Sequence, residues 1–135
     1  ALKIRLLKLG KYHAEVATSY GNLGNVYLRK KDYDQSIKAH LKAKQIREKV
    51  FGINSAEIVE SYRGLGNAYR EKKSYKKALN YFEKALSNKI KQLGEGHKDL
   101  IRYYKNISEV FNLMGNKAKS DEYRIKAEEI EKQSK

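Results

Sequence analysis

The chain has 135 residues, enough for one domain with a real core. Proline, cysteine and tryptophan are absent, which removes disulfide frameworks and thiolate metal sites and leaves nothing to break long helices, so an all-α class is expected. Lysine and arginine number 30 against 16 acidic residues, a formal charge of +14 that attracts polyanions and acidic peptides without selecting among them.

No apolar run approaches the roughly 18 residues of a membrane span, and no leader pattern opens the chain; with no cysteine to protect, a cytoplasmic location is expected. Residues 1–10 align with 43–52 and 85–94, each the second half of a helix, so the chain is expected to begin inside the last helix of a preceding unit. Residues 11–52 form the first unit, with an A helix at about 14–30 marked by Val16, Tyr20, Leu23, Val26 and Tyr27. Its B helix spans about 33–51 on Tyr33, Ile37, Ala43 and Ile46. Asp32 with Gln35 reads as the N-cap of that B helix, and Gly52 closes its end.

Residues 53–94 overlie 11–52 without a gap, a period of 42 that pairs Tyr20 with Tyr62, Leu23-Gly24 with Leu65-Gly66, Tyr27 with Tyr69 and Ala43 with Ala85. The second A helix is expected at about 56–72, capped by Asn54 with Glu57, and the second B helix at about 75–93, capped by Ser74. Residues 95–135 keep the frame more loosely, with helices at about 98–114 and 117–133 and Asn116 as the B-helix cap. Tyr104, Ile107, Phe111, Ala127 and Ile130 hold the pattern, while Ser108 replaces the mid-helix glycine and Arg124 replaces Phe82, as expected of a unit near the end of an array. Gly24 and Gly66 stand inside helices, where glycine costs about 1 kcal/mol relative to alanine, so a close helix contact is expected at each.

Tyr62-x-x-Leu65-Gly66-x-x-Tyr69 followed by Ala78-x-x-x-Phe82 and Ala85 closely resembles the tetratricopeptide pattern, with tyrosine for its leading tryptophan. The first unit keeps Tyr20, Leu23, Gly24, Tyr27 and Ala43 but has Ser36 and His40 for the later alanine and phenylalanine. A period of 42 is eight residues longer than the usual repeat and is similar to the kinesin light chain subtype, although Ala14, Ala56 and Lys98 stand where that subtype has proline.

The resemblance implies an α-solenoid, a right-handed superhelix of antiparallel helix pairs, whose concave groove receives peptide segments. By that analogy the peptide-binding residues are Asn22 and Asn25 on the first A helix, Arg63, Asn67 and Arg70 on the second, and Arg102, Lys105 and Asn106 on the third. Arg63, Asn67 and Asn106 match in type part of the carboxylate-holding set found in some tetratricopeptide domains, whose remaining members would fall beyond residue 135.

No catalytic constellation is present. His13 and His97 are repeat-equivalent loop positions and His40 takes a core position, so none has a second ligand at metal spacing, and no cofactor or metal is expected. Gly21-Asn22-Leu23-Gly24 lies within a helix and lacks the lysine of a phosphate loop. Glu128, Glu129 and Glu131 face lysines on a terminal helix, and seven of the eleven tyrosines (20, 27, 33, 62, 69, 75 and 104) recur at core positions rather than as stacking platforms. The expected function is therefore a non-enzymatic scaffold for protein or peptide ligands, acidic ones above all. The alternatives are a basic nucleic-acid binder, disfavoured because lysine is spread over both helix sets, and self-association through apolar ends left by the first and last helices.

Overall fold

The computed structural model describes residues 2–133, with side chains from residue 13 onward. Six helices follow in order: α1 (Leu2–Arg29), α2 (Tyr33–Phe51), α3 (Ala56–Glu71), α4 (Tyr75–Leu93), α5 (Ile101–Leu113), entered through a 3-10 turn at Lys98–Leu100, and α6 (Lys117–Gln133). The described residues contain no strand. Helices α1/α2, α3/α4 and α5/α6 pair as hairpins, and the hairpins stack through α2 on α3, α1 on α3 and α4 on α5. A single hairpin leaves an apolar face open, and stacking closes it.

Local chemistry sets the boundaries. Asp32 and Asn116 accept from the backbone N–H of Gln35 and Lys119 at 3.3 and 3.1 Å, as their spacing predicts. Ser74 makes no such bond. On α3 the cap is Ser55 rather than Asn54: the Ser55 hydroxyl accepts from Ile58 N–H and donates to the Gly52 carbonyl, while the Asn54 carbonyl accepts from Gln92. His97, one period after Ser55, caps its own turn by accepting from Asp99 N–H at 3.0 Å. Each A-to-B turn closes with a left-handed residue at positions 31, 73 and 115, and lysine fills the first two of these at φ 65° and 71°. Gly52, Gly94 and Gly115 all have positive φ, as expected of helix-ending glycines.

Helix α1 departs from expectation. Residues 2–10 continue into it without a break at Gly10, whereas the repeat frame assigns them to a separate preceding helix. Tyr12 and His13 stand where Asn54 and Ser55 interrupt the chain, so no short capping side chain competes with the helix.

The larger core cluster joins α3 to α6 through Ile58, Val59, Tyr62, Phe82, Leu86, Tyr104, Ile107 and Ile130, and a smaller one joins Ile37, Leu65 and Ala68. Leu23, expected in the core, is 42% exposed, while its equivalents Leu65 and Ile107 are fully buried. The difference is cover: α2 supplies Ile37 beside Leu65 and α4 supplies Phe82 and Leu86 to the cluster of Ile107, but no described helix packs on that side of α1. At the other end α6 exposes both charged and apolar side chains, Ile125 being 45% exposed. Arg124, at the position of Phe82, donates to Glu128 and Asp121 at 2.7 and 3.3 Å on the exposed side of α6.

The mid-helix glycines mark the tightest crossings. A Cβ on Gly66 would lie 2.6 Å from the Phe82 ring. In the third unit Ser108 takes the glycine position, and its hydroxyl donates to the Ser120 carbonyl at 2.7 Å; in the first, Ser36 donates to the Gly24 carbonyl at 2.7 Å. The two serine departures, Ser36 and Ser108, therefore each carry a buried hydrogen bond. Gly66→Leu should lower the unfolding free energy by about 1–3 kcal/mol through overpacking. Urea denaturation beside the parent measures it, and an unchanged midpoint would mean that the crossing is loose.

Candidate functional site

A cavity of about 290 Å³ lies where α1, α2 and α3 meet. Thr18, Asn22 and Asn25 enter from α1, His40 and Arg47 from α2, and Glu60, Arg63 and Asn67 from α3. The second A helix buries its Tyr62 and Leu65 face against neighbouring helices, which leaves the polar side chains of α3 on the adjoining face. A second cavity, of about 510 Å³, lies one repeat further on and is lined by Glu60, Lys89, Lys98, Asp99, Ile101, Arg102, Tyr103 and Lys105.

The two cavities occupy equivalent places in the repeat. Thr18/Glu60, Arg47/Lys89, Glu60/Arg102 and Arg63/Lys105 are each 42 residues apart, and each pair supplies one member to each cavity. Glu60 lines both. Of the groove residues expected from sequence, Asn22, Asn25, Arg63 and Asn67 share the first cavity, and Arg102 and Lys105 share the second. Arg70 and Asn106 line neither, so of the three residues matching a carboxylate-holding set only Arg63 and Asn67 come together.

Carboxylates already hold several of the cations. Arg63 donates to both oxygens of Glu60 at 3.0 and 3.1 Å, Arg70 lies 3.5 Å from Glu109 and 3.4 Å from Glu71, and Lys105 lies 2.8 Å from Glu131. The Nε atoms of Arg63 and Arg70 are buried and have no hydrogen-bond partner among the described residues. Arg102 is exposed and forms no ion pair among the described residues. The strip is thus a row of donors interleaved with acids, rather than donors alone.

Two residues of α2 belong to the site although sequence reasoning did not assign them to it. Arg47 reaches from the B helix and donates to Ser61 at 2.9 Å; burial lowers its pKa, opposed by Glu60 and Glu57. The signal for it was the basic pair Arg47/Lys89 at one repeat position. His40, 3% exposed, lies between two backbones: a Cβ on Gly24 would meet its ring at 2.6 Å and one on Gly64 at 2.4 Å. Neither ring nitrogen has a hydrogen-bond partner among the described residues. Burial, aided by the Arg47 cation, pulls the imidazole from 6.5 to about 4, so it is neutral at pH 7.

Among the described residues, no group of three or more His, Cys, Asp or Glu side chains could hold a metal ion, and no helix is long and apolar enough to cross a membrane.

The fold is shared with solved tetratricopeptide structures. The TPR domain of Arabidopsis FLU superposes with a TM-score of 0.75 at 16% identity, over 85% of this chain and 93% of that one. BtubC (BKLC) from P. vanneervenii gives 0.82 at 21% identity, over 98% of this chain and 54% of that one. A putative kinesin light chain of Podospora anserina, with nearly identical TPR-like repeats, gives 0.78 at 14% identity, over 91% and 58%. The chain thus spans little more than half of the latter two. At these identities the likeness is one of fold. No curated protein matches the sequence. The tetratricopeptide repeat profile matches residues 15–91, more than half of the chain. With the 42-residue frame, the helix pairs and the packing glycines already in place, the chain belongs to the tetratricopeptide repeat family.

Proposed function

We propose that the chain binds acidic peptide segments along the two repeat-equivalent cavities between its A helices. Domains of this family generally mediate protein–protein interaction, which sets the class; the acidic preference rests on the cavity linings. The observation that carries it is the recurrence of cations at the same places one period apart, Arg47/Lys89 and Arg63/Lys105, with Arg102 lining the second cavity beside Lys89 and Lys105. Asn22, Asn25 and Asn67 add donors and acceptors suited to a peptide backbone. The resident acids Glu60 and Glu131 act as internal counter-ions that a ligand carboxylate would exchange with, which favours clustered acidic residues over a single one.

The test is a calorimetric titration of an acidic peptide library against parent and the Arg63→Glu/Arg102→Glu variant at two salt concentrations. The variant should bind at least about tenfold more weakly, while its melting temperature stays close to that of the parent because the altered side chains lie outside the core. Affinity should also fall with salt, as the Debye length shrinks from about 10 Å at 0.1 M to about 3 Å at 1 M. Equal affinities for the two proteins would rule out this groove as the binding site.

A further inference from the structure

The two groove cavities differ in charge at positions that the repeat frame makes equivalent. Arg102 stands in the second where Glu60 stands in the first, and Lys98 enters the second from the turn before α5, one period after Ala56. Lys89 and Lys105 repeat Arg47 and Arg63. Four cations from α4, the 3-10 turn and α5 thus surround about 510 Å³, against two carboxylates, Glu60 and Asp99. The first cavity sets two arginines against one carboxylate, with Asn22, Asn25 and Asn67 beside them.

The resident acids leave this surplus standing. Arg63 holds both oxygens of Glu60 at 3.0 and 3.1 Å, and Asp99 lies 3.8 Å from His97. Of the four cations, only Lys105 has an ion pair among the described residues, with Glu131 at 2.8 Å. In the first cavity Arg47 donates to Ser61; one period on, Tyr103 fills the place of Ser61, and Lys89 makes no side-chain hydrogen bond among the described residues. The second cavity lies between the second and third helix pairs, both present. The first stays open with α5 and α6 packed behind it, so a further pair packed after α6 would leave the second open in the same way.

We infer that the second cavity holds a phosphorylated side chain of the bound peptide, an inference that rests on peptide binding in the groove. A carboxylate brings one charge and two oxygens, too little to meet Lys89, Lys98 and Arg102 together. A phosphomonoester brings a charge of about −1.5 to −2 at pH 7 and three terminal oxygens. The Arg102 guanidinium can take two of those oxygens as a fork, and the two lysines serve as point charges on the others. The asparagines of the first cavity would hold the adjoining peptide backbone.

The probes are three fluorescein-labelled peptides of one glutamate–glycine sequence whose central residue is serine, glutamate or phosphoserine, titrated by fluorescence anisotropy. The phosphoserine peptide should bind the parent about tenfold more tightly than the serine peptide, and the glutamate peptide less than about threefold more tightly. In Lys89→Gln/Lys98→Gln the gain from phosphate should shrink to less than about threefold, and Arg102→Gln, at an exposed position, should shrink it too if that double variant fails to fold. Lys30→Gln/Lys117→Gln removes the same charge away from both cavities and should keep the full gain. An equal loss of the gain in both double variants would reduce it to the general field of the chain and overturn the proposal. If the glutamate peptide binds and phosphate adds nothing, this proposal fails and the groove reading stands. If only the phosphoserine peptide binds, and Lys89→Gln/Lys98→Gln abolishes that binding, the phosphate site stands and the preference for plain acidic segments fails. Absence of binding by all three overturns both. Tighter binding of an oligothymidylate, lost in Lys89→Gln/Lys98→Gln, would assign the cavity to a nucleic-acid backbone and overturn the proposal as well.

Discussion

Truncating Phe82 to alanine should lower the unfolding free energy by about 3–5 kcal/mol, whereas Leu23→Ala at the equivalent-helix surface should cost less than about 1 kcal/mol. Phe82 is fully buried on α4, its ring rests on the bare backbone of Gly66, and its cluster contains residues of α3, α5 and α6. Removing the ring leaves a void that three helices must close at once, and helices already in contact through side chains cannot approach much further. Leu23 is 42% exposed and already reaches water. Urea titrations followed by circular dichroism give both values. A cost for Phe82→Ala no larger than that for Leu23→Ala would show that the second unit's core is not seated on this ring.

Acidification from pH 7 to 4 should cost the parent about 3 kcal/mol through His40 alone. The sign follows from the direction of the shift. The unfolded imidazole takes up a proton near 6.5, but the folded one resists until about 4, so the unfolded state binds the extra proton first. The contribution is fully present above 6.5, declines as pH falls through the interval, and is exhausted below about 4. The charged neighbours of the ring are Arg47 on its own helix, which opposes protonation, and the Arg63–Glu60 pair on α3; α1 contributes the uncharged Thr18, Gly21, Asn22 and Asn25 to that cavity.

His40→Phe separates this effect from the titration of carboxylates, which both proteins share. It places at position 40 the ring that Phe82 provides one period later, and it removes two buried nitrogens that have no partner among the described residues. Stability measured at pH 7, 5.5 and 4 should diverge between the two proteins as pH falls. Parallel curves would mean that the imidazole is solvated in the folded state.

The B-helix bounds at 33–51, 75–93 and 117–133 were legible to the residue, because the repeat frame and the flanking Asp32, Gly52, Gly94 and Asn116 agreed with one another. The turn residues were only partly so. Glycine marks the left-handed position at 115, but Lys31 and Lys73 adopt the same conformation at the earlier turns, held by the helix-ending bonds of their neighbours to the carbonyls of Tyr27 and Tyr69. The continuity of α1 through Gly10 was not legible from the period, since alignment with 43–52 shows similarity of pattern and not which helix the segment joins.

At the site, helix phase was enough to bring Asn22, Asn25, Arg63 and Asn67 to one cavity. It could not reveal that Arg47 reaches there from α2, because the path of a long side chain depends on what it passes. Nor could it show His40 held between Gly24 and Gly64, since that contact joins backbones from two different units. The counter-ions were equally hidden: the Glu109 partner of Arg70 and the Glu131 partner of Lys105 come from other helices.

Helix packing here joins elements that are next, or next but one, along the chain. Closing such short loops costs little entropy before contacts repay it, so the barrier to folding is set by local steps. The chain should therefore assemble hairpin by hairpin in microseconds to milliseconds, as helical bundles do, and native-state hydrogen exchange should be slowest in α3 and α4 and faster toward both ends. An array built this way can loosen a terminal pair without surrendering the pair beside it.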